Sequence, residues 1–570
     1  MSEIEIKKNQ ELADLLFPDL KKDRKYFEDK RLELISSRDL KVDAEVTRVG
    51  PSPTGPMHIG TLYMALVSKK IAKQSAGLFY LRIEDTDKVR EVEGAREFIK
   101  STLNDYGLSF DEIYTQSERS DIYKAFAKDL VLKGLAYPCF MTSDELSVMR
   151  EEQTAMKVRP GVYGKHASSR DLSFEEIKNK LEKNKNVYVL RLKAFGDVNK
   201  KEKFVDQFLG EHNIPENDED FVLLKSDGVP TYHLAHVVDD YVLGTTFVTR
   251  AEEWLSSMGK HLALWKAIDV DVPKYGHIMP INKKEGGSVR KLSKRKDPEA
   301  GMSYWKDTGY TTDSIISYLL RLANPDLDIW WDEKVKNNIK INISQYELDL
   351  KQMKRGSRGP LLDFDKLNNM SADIVAGMSA KEVSENILAW CKDYNTELFK
   401  IVNSHENKSN ENNKNYLERI LNIEREGENK RKDIAKWSDA EDQIFYFYDE
   451  LFEERKIEIK TLLSPLLERE EEDQKNNLED KEKNKNILKD LFEILSKEEN
   501  KNLFDLSISL EEWIASFKNI FENNFKEKYN IKFGELMMML RRAVTTKDKT
   551  PNLYYVFEVL GRERVIKRLK

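Results

Sequence analysis

Cysteine is nearly missing from this chain: its 570 residues include two, Cys139 and Cys391, far apart in sequence. That excludes a disulfide framework and a cysteine-rich zinc site, and it suits a reducing compartment. No run approaches the roughly 20 apolar residues of a membrane-spanning helix. Residues 1–20 mix Glu, Asp and Lys among their apolar residues, unlike the apolar core of a signal peptide. A cytoplasmic location with no membrane partner is therefore expected. Charge of one sign is not in excess either: 94 Lys plus Arg face 101 Asp plus Glu, a net −7, so an anionic partner has to be met by local basic patches. There is no Gly-rich dinucleotide fingerprint, which disfavours NAD, and no internal repeat of the solenoid kind.

What is present is apolar residue at 40%, enough for several cores, and a length that suggests about three or four domains of roughly 150 residues. A β-branched run at Val46–Val49 is followed by a Pro/Gly loop, then by Ile59, Leu62, Leu66 and Ile71 at helical spacing, then by the strand-like Phe79–Ile83. Strand, loop, helix, strand is the unit of a parallel nucleotide-binding sheet. Strand-like runs at Phe221–Leu224 and Thr246–Thr249 are expected to resume that sheet after an inserted domain. Beyond about Tyr310, Leu, Ile and Phe recur every three or four residues among Lys, Glu and Asn, which predicts stacked helices. Two polar segments, 403–416 and 468–485, lack the apolar content to bury a core and are expected to be loops or solvated helix.

Two stretches carry chemistry. In Gly50-Pro51-Ser52-Pro53-Thr54-Gly55-Pro56-Met57-His58-Ile59-Gly60-Thr61, a strand-to-helix junction aims backbone N–H groups at an anion. His58 adds a phosphate contact there, and Gly60 allows a nucleotide base to approach the backbone. Alone, such a His-x-Gly is more often an ordinary helix start. In Gly286-Gly287-Ser288-Val289-Arg290-Lys291-Leu292-Ser293-Lys294-Arg295, paired glycines precede a cation cluster, as in a mobile loop that folds over a polyphosphate. Alone, it reads as a solvated basic loop. Together the two are far more specific.

Together they resemble the class I aminoacyl-tRNA synthetases, His58-Ile59-Gly60-Thr61 standing for the HIGH signature and Lys291-Leu292-Ser293-Lys294-Arg295 for KMSKS. More narrowly, Pro51–Gly55, Leu81-Arg82-Ile83-Glu84-Asp85-Thr86-Asp87, Pro230-Thr231-Tyr232-His233-Leu234-Ala235 and Arg250-Ala251-Glu252-Glu253-Trp254 resemble the blocks of bacterial glutamyl-tRNA synthetases, in order. The resemblance implies an α/β fold: a Rossmann-type catalytic domain (44–123 and 225–285) behind an N-terminal extension (1–43). It implies further an inserted acceptor-end-binding domain (124–224), a linker with the KMSKS-like loop (286–370) and a helical anticodon-binding region (371–570).

The activity implied is ligation of L-glutamate to tRNA(Glu), through a glutamyl-adenylate formed from ATP with Mg²⁺, by a monomer that activates glutamate efficiently only with tRNA bound. Whether tRNA(Gln) is charged as well stays open. His58, Lys291 and Lys294 are the implied catalytic residues, joined by Gly60, Thr61 and Ser293 for ATP. Arg48, Ser52, Glu84, Tyr232 and Arg250 are implied for glutamate, Arg250 for its γ-carboxylate and Glu84 for its ammonium. Lys354-Arg355, Arg358, Lys430-Arg431-Lys432 and the tail from Arg541 are candidates for tRNA phosphates. The chain departs from the family at Val49-Gly50, where Phe-Ala is common, and at His236, where Asn is expected. Cys139-Phe140-Met141 lacks the second thiol of a Cys-x-Cys pair, so no structural zinc is expected. Three rivals share part of this pattern: a shortened relative that glutamylates a tRNA base, a small-substrate adenylyltransferase, and a silent tRNA-binding paralogue.

Overall fold

The computed structural model describes residues 2–353, 359–408, 416–427, 430–456 and 474–570, and the chain falls into two compact units. Unit 1 comprises residues 1–305, 315–331 and 342–363; unit 2 comprises 306–314, 332–341 and 364–570.

Unit 1 is built on parallel strands. Leu78–Ile83 lies between Val46–Val49 and Glu112–Thr115 and pairs in parallel with both. Every residue of the first two strands is buried, as expected for strands covered on both faces. The helix Ile59–Gln74 crosses over between them, with Ile59, Leu62, Leu66 and Ile71 all buried, so the helical spacing read from sequence is the packing face. Phe247–Ala251 runs parallel to Lys274–Ile278 and meets the first strand where Thr246 N–H donates to the Val46 carbonyl at 3.0 Å. The far side of Lys274–Ile278 is taken by the hairpin Lys201–Asp206/Gly210–Pro215.

One strand expectation is corrected. Val222–Leu224 does not return to the parallel sheet but pairs antiparallel with Val189–Leu192, itself antiparallel to Ala136–Cys139. A short apolar run shows that a strand is buried without naming its partner. The core under this sheet contains Phe126, Leu130, Leu190, Leu223, Leu234 and Trp265. The N-terminal helices Glu3–Leu16 and Arg24–Ser37 are anchored to the same unit, for example by Arg38, which grips Glu112 with two nitrogens (2.9 and 2.5 Å) and donates to the Leu243 carbonyl.

Among its described residues unit 2 is helical, from Phe364–Ala376 to Leu553–Leu569, around a core that includes Ile387, Ile420, Phe447, Leu491, Phe517, Leu540 and Phe557. Ser379 with Glu382 and Ser509 with Glu512 form capping boxes that satisfy the first N–H groups of their helices. Where described, both polar segments are helix, within Thr396–Lys408 and at the start of Tyr416–Asn422 for the first and within Gln474–Leu495 for the second. No described helix is long and apolar enough to cross a membrane.

Candidate active site

His58 stands at the N-cap of Ile59–Gln74 in an extended conformation, and its Nδ1 accepts the Gly60 N–H at 2.8 Å. Thr61 N–H returns to the His58 carbonyl at 2.8 Å. The imidazole is held neutral: burial, then the nearby ammonium groups of Lys294 and Lys291, lower it to about 4. The basic loop reaches this place because Asn282–Glu285 and Ser288–Lys291 form a hairpin whose turn, Gly286-Gly287, has φ 53° and 89°; both positive, such angles favour glycine. Behind the turn Asp297 takes two bonds from Arg290 (2.7 and 2.8 Å) and one from the Ser293 N–H (2.9 Å). The Arg290 guanidinium holds that carboxyl far below its usual range. Lys294 Nζ donates to the Pro56 carbonyl, two residues before His58, and burial lowers its ammonium. Lys291 pairs with Glu253. Two sequence stretches about 230 residues apart thus converge, with a helix N-terminus and two ammonium groups around one histidine.

A second cluster gathers the carboxylate-binding candidates. Arg48 is buried and held by Asp240 (3.1 Å) and by the Thr249 carbonyl (2.8 Å). Arg82, fully buried, bridges Asp240 (2.8 Å) and Glu84 (2.7 Å). Burial raises the Glu84 carboxyl against the opposing pull of Arg82 and Arg48. Tyr232 stacks on Trp254, ring centroids 4.0 Å apart, and on His236, 5.5 Å apart. Ser52 is exposed on the loop.

Arg250 differs from the other two arginines. It is 4% exposed, yet among the described residues no carboxylate is paired with it. Its Nε donates to His277 Nε2 (2.9 Å), and its Nη1 faces His261 Nδ1 (3.0 Å) and His236 Nε2 (3.3 Å). Its Nη2 donates to Met258 Sδ (2.7 Å) and the Trp254 carbonyl (3.4 Å). Burial lowers His236 to about 3 and takes His261 and His277 below the ordinary imidazole range, so neutral acceptors surround the guanidinium. A buried positive charge with no anion beside it is costly unless a ligand supplies one.

Sequence reasoning named the two loops that the fold brings together and singled out His236, but gave no role to Arg82, Asp240, Asp297, His233, His261 or His277. The signal was there: four of the chain's eight histidines, 233, 236, 261 and 277, enter this cluster. Of the proposed phosphate contacts, Lys354, Arg355 and Arg358 lie outside the described residues. Arg431 is buried against Asp433 and Lys432 pairs with Asp373 at 2.7 Å. In the tail, Arg541, Arg562, Arg564 and Arg568 donate to backbone carbonyls of unit 2.

The family model described as "tRNA synthetases class I (E and Q), catalytic domain" matches residues 45–354, and "Anticodon binding domain" matches 396–570. The chain is 40% identical to a protein of Clostridium perfringens (strain SM101 / Type A) named glutamate–tRNA ligase, over 98% of this chain and 99% of that one. It is 39% identical to the Clostridium beijerinckii protein of the same name, over 98% of each. Among solved structures, a glutamate tRNA ligase from Elizabethkingia meningosepticum, crystallised in complex with its amino acid, superposes with a TM-score of 0.68 at 25% identity, covering 92% of this chain and 98% of that one.

Proposed function

Because the chain belongs to the class I tRNA synthetases of the glutamate and glutamine group, we propose that it ligates L-glutamate to tRNA(Glu) at the expense of ATP. The observation that carries the choice of glutamate is Arg250, a buried guanidinium among neutral acceptors. A γ-carboxylate supplies the missing anion; the neutral amide of glutamine does not. Loss of a charge-assisted pair, about 1.5–3 kcal/mol, disfavours glutamine roughly tenfold to a hundredfold.

In the first step an α-carboxylate oxygen of glutamate attacks the α-phosphorus of ATP. A P–O bond forms, the bond to the β-phosphate oxygen breaks, and pyrophosphate leaves. In the second, a terminal ribose hydroxyl of tRNA attacks the activated carbonyl, loses its proton and releases AMP. No residue is acylated. Rate comes from positioning and from cations aimed at developing charge. Gly60, Thr61 and the helix N-terminus receive the nucleotide, His58 donates to phosphate, and Lys291, Ser293 and Lys294 close on the triphosphate once Lys291 leaves Glu253. Mg²⁺ arrives on the phosphate oxygens as part of the nucleotide substrate. Glu84 with Ser52 and Tyr232 takes the substrate ammonium, and Arg48, oriented by Asp240, stands with Arg250 for the substrate carboxylates. Residues 124–224 hold the acceptor end, and the helical region after 371 meets the anticodon.

Purified chain is given tRNA(Glu) and tRNA(Gln) separately, with labelled glutamate and then glutamine. Glutamylation of tRNA(Glu) with no glutaminylation is expected, and the tRNA(Gln) arm decides how many tRNAs are charged. Adenylate formation with no transfer to either tRNA would refute the reading, as would a preference for glutamine.

A further inference from the structure

Resting on Arg250 as the partner of the substrate's side-chain carboxylate, we propose that His277 and Asp206 are positioning residues for amino-acid selection. They orient Arg250 without neutralising it.

Arg250 and His277 are cross-strand neighbours on the paired strands Phe247–Ala251 and Lys274–Ile278. An acid at the position of His277 would close an ion pair with Arg250 and compete with the substrate. An imidazole holds the same Nε–H, at 2.9 Å, and leaves the charge uncompensated. That requires one tautomer: the proton on Nδ1 and the lone pair on Nε2.

Asp206 sets it. Its Oδ2 lies 2.5 Å from His277 Nδ1, so the ring proton is held on that side. The carboxylate is itself immobilised, because the backbone N–H groups of Phe208 (2.9 Å), Leu209 (2.8 Å) and His277 (3.0 Å) all donate to it. Asp206 and His277 are both buried, which leaves no water to substitute for either contact. Asp206 closes the first strand of the hairpin 201–215, which lies beside Lys274–Ile278 and packs Phe204 and Ile214 against Met258. A hydrogen-bond chain, Asp206 to His277 to Arg250, thus links the hairpin to the guanidinium.

On the other side of the guanidinium, His261 repeats the logic. Its Nδ1 faces Arg250 at 3.0 Å while its Nε2 meets His233 Nδ1, also at 3.0 Å. With His277 removed, Arg250 keeps its Nη contacts to His261, His236, Met258 and the Trp254 carbonyl but loses the acceptor that fixes its Nε.

Pyrophosphate exchange in the presence of tRNA(Glu), with glutamate and ATP varied in turn, tests the proposal on Asp206→Asn, His277→Phe, His277→Gln and Arg250→Gln. In Asp206→Asn the amide donates to Nδ1 and moves the ring proton to Nε2, against the Arg250 N–H. Asp206→Asn and His277→Phe should each raise the glutamate KM about tenfold or more. The ATP KM should stay within about twofold, selectivity over glutamine should fall in step, and His277→Gln, which restores an acceptor, should recover most of the loss. A glutamate KM unchanged in both Asp206→Asn and His277→Phe overturns the proposal. So does a parallel rise in the KM values for ATP and glutamate with a lowered melting temperature, which marks a merely structural pair. Arg250→Gln separates the two layers: if it spares the glutamate KM, the substrate reading itself fails, whereas if it raises that KM while the Asp206 and His277 variants do not, only this proposal falls.

Discussion

A methyl group added to Gly50 would sit 2.3 Å from Glu84 Oε1, closer than any carbon approaches an oxygen without bonding. At this departure from the family pattern, the missing Cβ of Gly50 leaves the space in which Glu84 folds back onto Arg82. The atom in the way is the far end of a flexible side chain, so Gly50→Ala should leave the melting temperature nearly unchanged and displace the carboxylate instead. The glutamate KM should rise several-fold with the ATP KM unaltered, measured by exchange kinetics. Of the three arginines in this cluster, Arg48 and Arg82 share Asp240, while Arg250 has no carboxylate partner among the described residues. Residue type makes all three equivalent, and surroundings make them different.

At the scale of elements, the basic loop is a hairpin on which a single carboxylate, Asp297, takes three hydrogen bonds. Asp297→Ala removes both Arg290 bonds and the Ser293 bond at once. The loop cations should lose their fixed positions, with a raised ATP KM, slower exchange and faster tryptic cleavage around Lys294–Lys296, read side by side with the parent chain. The C-terminal helix illustrates a different use of arginine. Arg568 donates to the carbonyls of Tyr446 and Val544 and lies 3.8 Å from the centre of the Phe452 ring. An arginine-rich tail reads in sequence as a surface for phosphates, but a guanidinium has five donors and readily ties off helix-end carbonyls inside a fold. Arg568→Ala should lower the unfolding free energy of the intact chain by about 2–4 kcal/mol in urea titrations, with exchange activity little affected under native conditions.

For the whole molecule, the buried imidazoles give stability a definite pH dependence. In the unfolded chain histidines take up protons below about pH 6.5. In the folded protein burial delays this to about 4 for His233 and about 3 for His236, and shifts His261 the same way. Between those limits the unfolded state binds more protons, so stability falls as pH falls and is complete above pH 6.5. Each such group contributes up to about 1.4 kcal/mol per pH unit. The urea midpoint should therefore drop clearly from pH 7.5 to pH 5, and His236→Asn should flatten that slope. A slope unchanged in the variant would remove His236 from the account.

Much of this was legible in the chain itself. The helix Ile59–Gln74, the strands beside it and the helical second half follow from periodicity and turn chemistry, which neighbours in sequence decide, whereas the two loop stretches around His58 and Lys294 stand out by their resemblance to a family. The partner of Val222–Leu224 and the fate of the tail arginines were not legible, because either outcome satisfies the same local pattern. Nor could sequence alone say which arginine keeps its charge available. Asp240 lies 192 residues from Arg48, while His277, though 27 residues from Arg250, meets it only when two strands pair. Local spacing supplied the candidates, and long-range packing, by choosing an acid for one guanidinium and imidazoles for the other, selected between them.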